Sequence, residues 1–287
     1  MPSRRQPARA SRRSSVSAVL IVLSICLGLA VLAIKFAGKP PARPTACLAG
    51  PGDQAVQLSV GQAGIAATIA GVASHRGMPT RAVAIAYATA LQESKLANLH
   101  YGLQDSVGVF QQRPSQGWGT AAQIENPIYA TGRFFAALAQ VPRYRRLPIY
   151  MAAQDVQRSA DGSAYAQYAG VGTEMARAFT GVQPHAVWCS YGSPVGHARL
   201  AAARTALSSA FGRLNSTMVG DPGARVAVSS VREGWAVAVW LVSHAARYGI
   251  TDVHYAGFQW LSTSSGRWKP IPGAARRPAA SAAVVFG

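Results

Sequence analysis

AYATALQESKL at residues 86–96, running on to DSVGVFQQRPSQGWG at 105–119, is the stretch on which the reading of this chain turns. The first segment closes an Ala-rich run whose spacing predicts a helix from about 80 to 97, and its narrow side chains suit close burial among other helices. Beyond it, Asn98, Gly102, Gly108, Pro114, Gly117 and Gly119 make 98–120 a loop-dominated stretch with room for a short hairpin. The glycines need no ligand to explain them, since positive φ and close backbone approach suffice. Glu93 lies near the helix end, with Ala86, Thr89 and Ala90 at seven, four and three residues before it on one small apolar face. A carboxylate there is expected to be desolvated, which favours its protonated form and suits a general acid. The alternative is a surface Glu paired with a base such as Lys95 or Arg113.

Acids are scarce in this chain, so Glu93 has few rivals. The 287 residues hold 28 Lys+Arg against 10 Asp+Glu, a net charge of +18. Residues 1–44 carry +8 of it with no acid, 45–188 carry +3 and 189–287 carry +7. Basic residues are not interleaved with aromatics in any recognised nucleic-acid motif, so no nucleic acid is expected, and an anionic polymer or membrane surface fits better. With 49% apolar residues the chain can bury real cores. His75, His100, His185, His197, His244 and His254 are scattered without metal-ligand spacing. There is no Gly-rich phosphate loop or GxSxG elbow, so no metal or cofactor is implied.

VSAVLIVLSICLGLAVLAI at 16–34 is an uncharged apolar run of bilayer-spanning length behind five arginines. It predicts a single transmembrane anchor over 16–37, with a basic cytoplasmic tail at 1–15 and the rest of the chain outside the cytoplasmic membrane, facing the cell wall. A cleaved signal peptide is the competing reading. Export places Cys47 and Cys189 in an oxidising compartment, where a disulfide between them is expected, with a contribution of about 4 to 5 kcal/mol from closing so long a loop. The other possibility for Cys189 is a nucleophile served by His185 or His197.

Further along, 38–54 reads as a Pro-rich linker, and helices are expected at 59–76, 127–140, 149–159 and 163–180. An amphipathic helix within 195–214 and a linker fill 191–224. A buried helix at 233–248 and two or three short strands in 250–268, turning near Ala256 and Gly257, make 225–269 a small α+β module. Trp235, Trp240, Trp260 and Trp268 read as its core, and 270–287 as a disordered tail.

The ordered set of motifs resembles the lytic transglycosylase branch of the lysozyme-like superfamily. Glu93 and Ser94 match its helix-terminal Glu-Ser, Ser106, Gly108 and Gln111 its Ser-x-Gly-x-x-Gln turn, and Asn126, Pro127 and Gly132 its Asn-Pro helix start. FQQRPSQGWGT at 110–120 and VQRSA at 156–160, with Ala164 and Tyr165, are similar to exported, cell-wall-directed lysozyme-like domains of high-GC Gram-positive bacteria. The resemblance covers about 47–190 and implies a mainly α fold: a lysozyme-like helical domain over 55–190, behind the anchor and before the α+β module.

It also implies that Glu93 protonates the glycosidic oxygen between N-acetylmuramic acid and N-acetylglucosamine in peptidoglycan. In the transglycosylase variant the sugar's acetamido and 6-hydroxyl groups complete the displacement and leave a 1,6-anhydro end. A hydrolase needs a second carboxylate, for which Asp105 is the candidate. Ser94, Ser106, Gln111, Gln112, Trp118, Gln157 and Tyr165 are implied as glycan-binding. Relatives commonly read YGDRDS where this chain has Tyr101-Gly102-Leu103-Gln104-Asp105-Ser106, and the usual Tyr-Asn element is replaced by Gln157, Arg158, Ser159 and Tyr165. A catalytically inactive wall-binding or scaffold protein is the alternative function.

Overall fold

Ten helices and two antiparallel sheets make up the computed structural model, which describes residues 24–28, 44–159, 162–220, 223–273 and 283–287. In the unit Met1–Ala42 only a short helix, α1 (24–28), is described, and its side chains are exposed. Among the described residues no helix is long and apolar enough to cross a membrane. The expected anchor falls largely on residues outside them.

The unit Arg43–Gly287 begins where a linker was expected. Strand β1 (Ala46–Ala49) is the middle of a three-stranded sheet, flanked by β2 (Val56–Leu58) and β3 (Val187–Ser190). The register sets Cys47 directly opposite Cys189, and the two form a disulfide. That removes the nucleophile reading of Cys189, whose sulfur is covalently committed.

Helix α2 (Val60–His75) starts with a capping box: Ser59 Oγ accepts from the Gln62 backbone N–H at 3.2 Å, and Gln62 Oε1 accepts from the Ser59 N–H at 2.8 Å. Its Ala, Gly, Ile and Val residues are buried on almost every side. Such a helix must be enclosed, and its neighbours are α3 (Thr80–Ser94), α5 (Pro127–Gln140), α8 (Leu200–Phe211) and α9 (Val231–Ser243). The expected boundary at 190 therefore separates no cores, because α8 and α9 complete the shell around α2.

Between these elements run α4 (Ala121–Ile124), α6 (Ile149–Gln157), a 3-10 segment Ser163–Tyr168, and α7 (Ala169–Phe179), with α10 (Ala245–Tyr248) following α9. Helices α3 and α7 pack closely against each other. Gly172 allows it: a Cβ there would stand 2.9 Å from the Ala84 carbonyl oxygen and 3.2 Å from the Ala88 nitrogen.

The second sheet has six strands in the order β4-β5-β9-β6-β7-β8: β4 (Ser216–Met218), β5 (Ala224–Ala227), β6 (Asp252–Tyr255), β7 (Phe258–Leu261), β8 (Lys269–Pro270) and β9 (Ala283–Phe286). The β6–β7 hairpin turns at Ala256 and Gly257 as the sequence predicts. Two expectations are corrected. Residues 283–286 are a strand, not a disordered tail, because alternation in AVVF buries Val284 and Phe286 between β5 and β6. The fold is mixed, not mainly α: apart from the alternating stretch 250–268, its two- to four-residue strands are too brief to stand out from the loops around them. Trp235, Trp240 and Trp260 are core, and Trp268 is half-buried against it.

Candidate active site

Helix α3 ends abruptly because Lys95 and Leu96 both take left-handed backbone angles, φ 55° and 59°, and turn the chain away from the helix axis. Glu93 lies on that last turn. Ala86, Thr89 and Ala90 beneath it are fully buried, but Glu93 itself is only half-buried, so the expected enclosure of its carboxylate is not found. Nor is it paired with a base: Arg113 bonds Asp105, and Lys95 Nζ lies 2.5 Å from the Tyr168 hydroxyl and over its ring.

What holds Glu93 is Tyr165, whose hydroxyl donates to Oε1 at 2.5 Å. Tyr165 comes from the 3-10 segment that packs on α3, and it is 2% exposed. Burial first, then the bond to Glu93, raises its phenol pKa well above the usual value, so it stays a donor at any physiological pH. Ser159 hydrogen-bonds the same tyrosine oxygen. A half-exposed carboxylate oriented by a buried, permanently protonated phenol is suited to proton transfer at one fixed position.

The loop 98–120 is pinned from several sides. Two isolated bridges, Leu99 with Gly108 and Val107 with Gln112, form the expected hairpin-like fold. Gly108 is required at its turn: φ is 78°, and a Cβ would lie 2.7 Å from the Ile124 carbonyl oxygen. Gln157 at the end of α6 donates to Phe110 O at 2.7 Å.

Several implied glycan contacts act on the protein instead. Ser94 is 6% exposed, with its hydroxyl between Val109 O at 2.7 Å and Ala90 O at 3.1 Å, tying α3 to the loop. Gln112 is buried and donates to Ala130 O at 3.3 Å, and Ser106 is buried beneath Gly102. Gln111 is half-buried, its amide directed to Gly108 O at 3.1 Å. The hydrogen bonds of Ser94, Gln111 and Gln112 and the burial of Ser106 shape the loop.

Asp105 likewise fastens the loop. It accepts from Arg113 Nε at 2.8 Å, from the Ser115 N–H at 2.7 Å and from the Ser115 hydroxyl at 3.0 Å. The Arg113 guanidinium, with the Ser115 N–H, lowers its pKa to about 2. A carboxylate so stabilised in its charged form is a weak base and a weak nucleophile.

Trp118 and Gln157 do share a cleft of about 840 Å³, lined also by Arg133, Gln140, Asp155 and Arg158. Glu93 is not among the residues that line it. The two are linked through the chain, since Ser159, bonded to Tyr165, directly follows Arg158 on the cleft wall. Tyr168, Arg133 and Asp155 were not singled out from the sequence. An exposed Arg or Asp on an amphipathic helix carries no local mark of the concavity beside it.

No protein-family model matches the chain, and no curated protein matches it.

Proposed function

We propose that this chain is a membrane-anchored muralytic enzyme, with Glu93 as its general acid and peptidoglycan glycan strands outside the cytoplasmic membrane as its substrate. The observation that carries the reading is the Tyr165–Glu93 bond at the end of α3, on a helix-loop motif set that resembles lytic transglycosylases. The lysozyme-like fold class of 55–190 and the anchor at 16–37 belong to the same proposal.

In the reaction, protonated Glu93 gives its proton to the glycosidic oxygen as the bond to the anomeric carbon breaks. Tyr165 steadies the carboxylate left behind. The sugar's acetamido group meets the charge at the anomeric carbon, its 6-hydroxyl then attacks, and Glu93 takes back that hydroxyl's proton. One carboxylate serves both steps. The three donors on Asp105 favour this route over a hydrolase with a second carboxylate.

Full-length protein incubated with purified peptidoglycan should release 1,6-anhydro muropeptides detectable by mass spectrometry. Glu93→Gln should cut release by at least about 10²-fold with an unchanged circular dichroism spectrum. An undiminished product profile in that variant removes Glu93 from the mechanism. Sedimentation of the wild type with the wall without any released fragment supports the scaffold reading instead.

A further inference from the structure

The arginines around the large cleft have no place in the proton chemistry. The cleft shares the wall formed by Gln140, Val141 and Pro142 with a second concavity of about 440 Å³. Arg133 and Arg158 line the first, and Arg143, Arg145 and Arg146 the second; all five are exposed. Against them stands one lining carboxylate, Asp155. Three ion pairs form among the described residues and lie elsewhere, so no described carboxylate comes within 4 Å of any of the five. Arg133 gives one N–H to Gly117 O at 3.0 Å, and Arg145 lies over the Tyr144 ring at 5.9 Å.

The five guanidinium groups around these two adjoining concavities repel one another, with Asp155 the one lining carboxylate set against them. Two of them also sit on left-handed backbone, Arg143 at φ 56° and Arg158 at φ 51°, a conformation uncommon outside glycine. Charge gathered in this way, at concave rather than convex surface, is complementary to a chain that bears anions at intervals. Guanidinium groups pair with phosphate or carboxylate through two parallel N–H bonds. A membrane-surface patch would set exposed large apolar side chains among the charges; Trp118 and Tyr144 line the two concavities, but both are half-buried against the core.

We infer that this arginine groove binds the oxyanions of an anionic cell-wall polymer and holds the protein on the wall beside its cleavage site. The inference rests on the wall-facing reading above but not on turnover. It adds a recognition surface for negative charge to the proposed glycan-cleaving site.

Binding of the full-length chain, carrying Glu93→Gln so that nothing is cut, is measured by sedimentation with insoluble wall sacculi at about 50 and 300 mM salt. The combined variant Arg143→Gln, Arg145→Gln, Arg146→Gln, Arg158→Gln should bind at least about tenfold more weakly and lose most of the salt dependence. A control of equal charge change at exposed sites elsewhere, Arg76→Gln, Arg177→Gln, Arg213→Gln and Arg225→Gln, should bind like the parent. Changing the four groove arginines to Lys should recover most of the binding and shows that the effect is not misfolding.

Two wall treatments identify the source of the oxyanion. Loss after removal of phosphodiester-linked polymers with hydrofluoric acid assigns it to phosphate, and loss after stripping the stem peptides assigns it to carboxylate; either supports the groove. Undiminished binding to walls stripped of both, or equal weakening by the control set, overturns it. A chain that binds through these arginines yet releases no fragment from wild-type digests keeps the groove and loses the enzyme reading, so the two failures are told apart.

Discussion

Breaking the Cys47–Cys189 bridge is the sharpest test of how this chain is held together. The bonded residues are 142 apart in sequence, yet directly opposed on neighbouring antiparallel strands. A link of that span removes a large set of conformations from the unfolded chain. In the loop-closure model, with a 142-residue ring, the restriction amounts to about 17 cal/mol/K, or about 5 kcal/mol at 25 °C.

The folded state needs little rearrangement when the bond goes. Strand β3 is also held by Trp260 Nε1, which donates to Cys189 O at 3.0 Å, and by its register with β1. The double variant Cys47→Ala/Cys189→Ala should therefore fold to the same structure and lose stability chiefly through the unfolded state.

Urea unfolding followed by tryptophan fluorescence reads this directly. At a slope near 2.5 kcal/mol/M, a loss of about 5 kcal/mol moves the midpoint down by about 2 M. Since whole domains are stable by about 5–15 kcal/mol, that is a large share of the total. The same shift should follow reduction of the wild type and should not add to the double variant. A change of less than about 1 kcal/mol in both experiments would refute the argument from loop length.

Gly172→Ala should lower the urea midpoint by about 1–3 kcal/mol equivalent, since its new Cβ meets the fixed backbone of α3 at 2.9 Å; an unchanged midpoint means the crossing has slack. His244 is 9% exposed, its Nδ1 2.9 Å from Trp240 O, and burial lowers its pKa to about 4. The unfolded chain takes that proton near pH 6.5, so stability should fall by up to about 3 kcal/mol as pH drops from about 6.5 to 4. His244→Phe should flatten this segment of the urea-midpoint profile, and a variant that keeps the wild-type slope removes His244 as its cause. Asp105, with its pKa lowered to about 2, contributes to the folded state above about pH 4 and ceases to do so as pH falls toward 2. Pepsin should accordingly begin to cut the 98–120 loop of the wild type over that interval, and Asp105→Asn should be cut already at pH 4; equal protection at pH 4 contradicts the clamp.

The helical part of the fold was legible because its signals are local. Ser59 before the apolar run, Asn126-Pro127 before α5 and the repeat of small residues in α3 each announce an element within a few positions, and the structure places helices there. The 98–120 loop was legible through its Gly and Pro residues. Of the sheets only the β6–β7 hairpin was legible, from the alternation on either side of Ala256-Gly257; the rest was not, because β1 meets β3 across more than a hundred residues and β9 reaches the centre of its sheet from beyond β8. Pairing of that kind is decided by which backbones meet, and no window of sequence contains both partners.

Much the same division runs through the candidate site. Glu93 could be singled out from the sequence by its place on a small-residue helix end in a chain with ten acids. The functions of its neighbours could not. Ser94, Ser106 and Gln112 read as ligand contacts until packing turned them inward, and Asp105 reads as a catalytic carboxylate until Arg113 and Ser115 are seen to occupy it. Sequence by itself singled out Glu93 as the candidate acid and showed roughly where the helices run, since both depend on residue type and short-range spacing. Only the tertiary structure decided that Tyr165 grips Glu93 from 72 residues away, that α8 and α9 enclose α2 in one core, and that Arg133 on α5, Arg158 just past α6 and the arginines of the 143–146 loop line two adjoining concavities. Those outcomes depend on burial and long-range contact, which form only when the whole chain has folded.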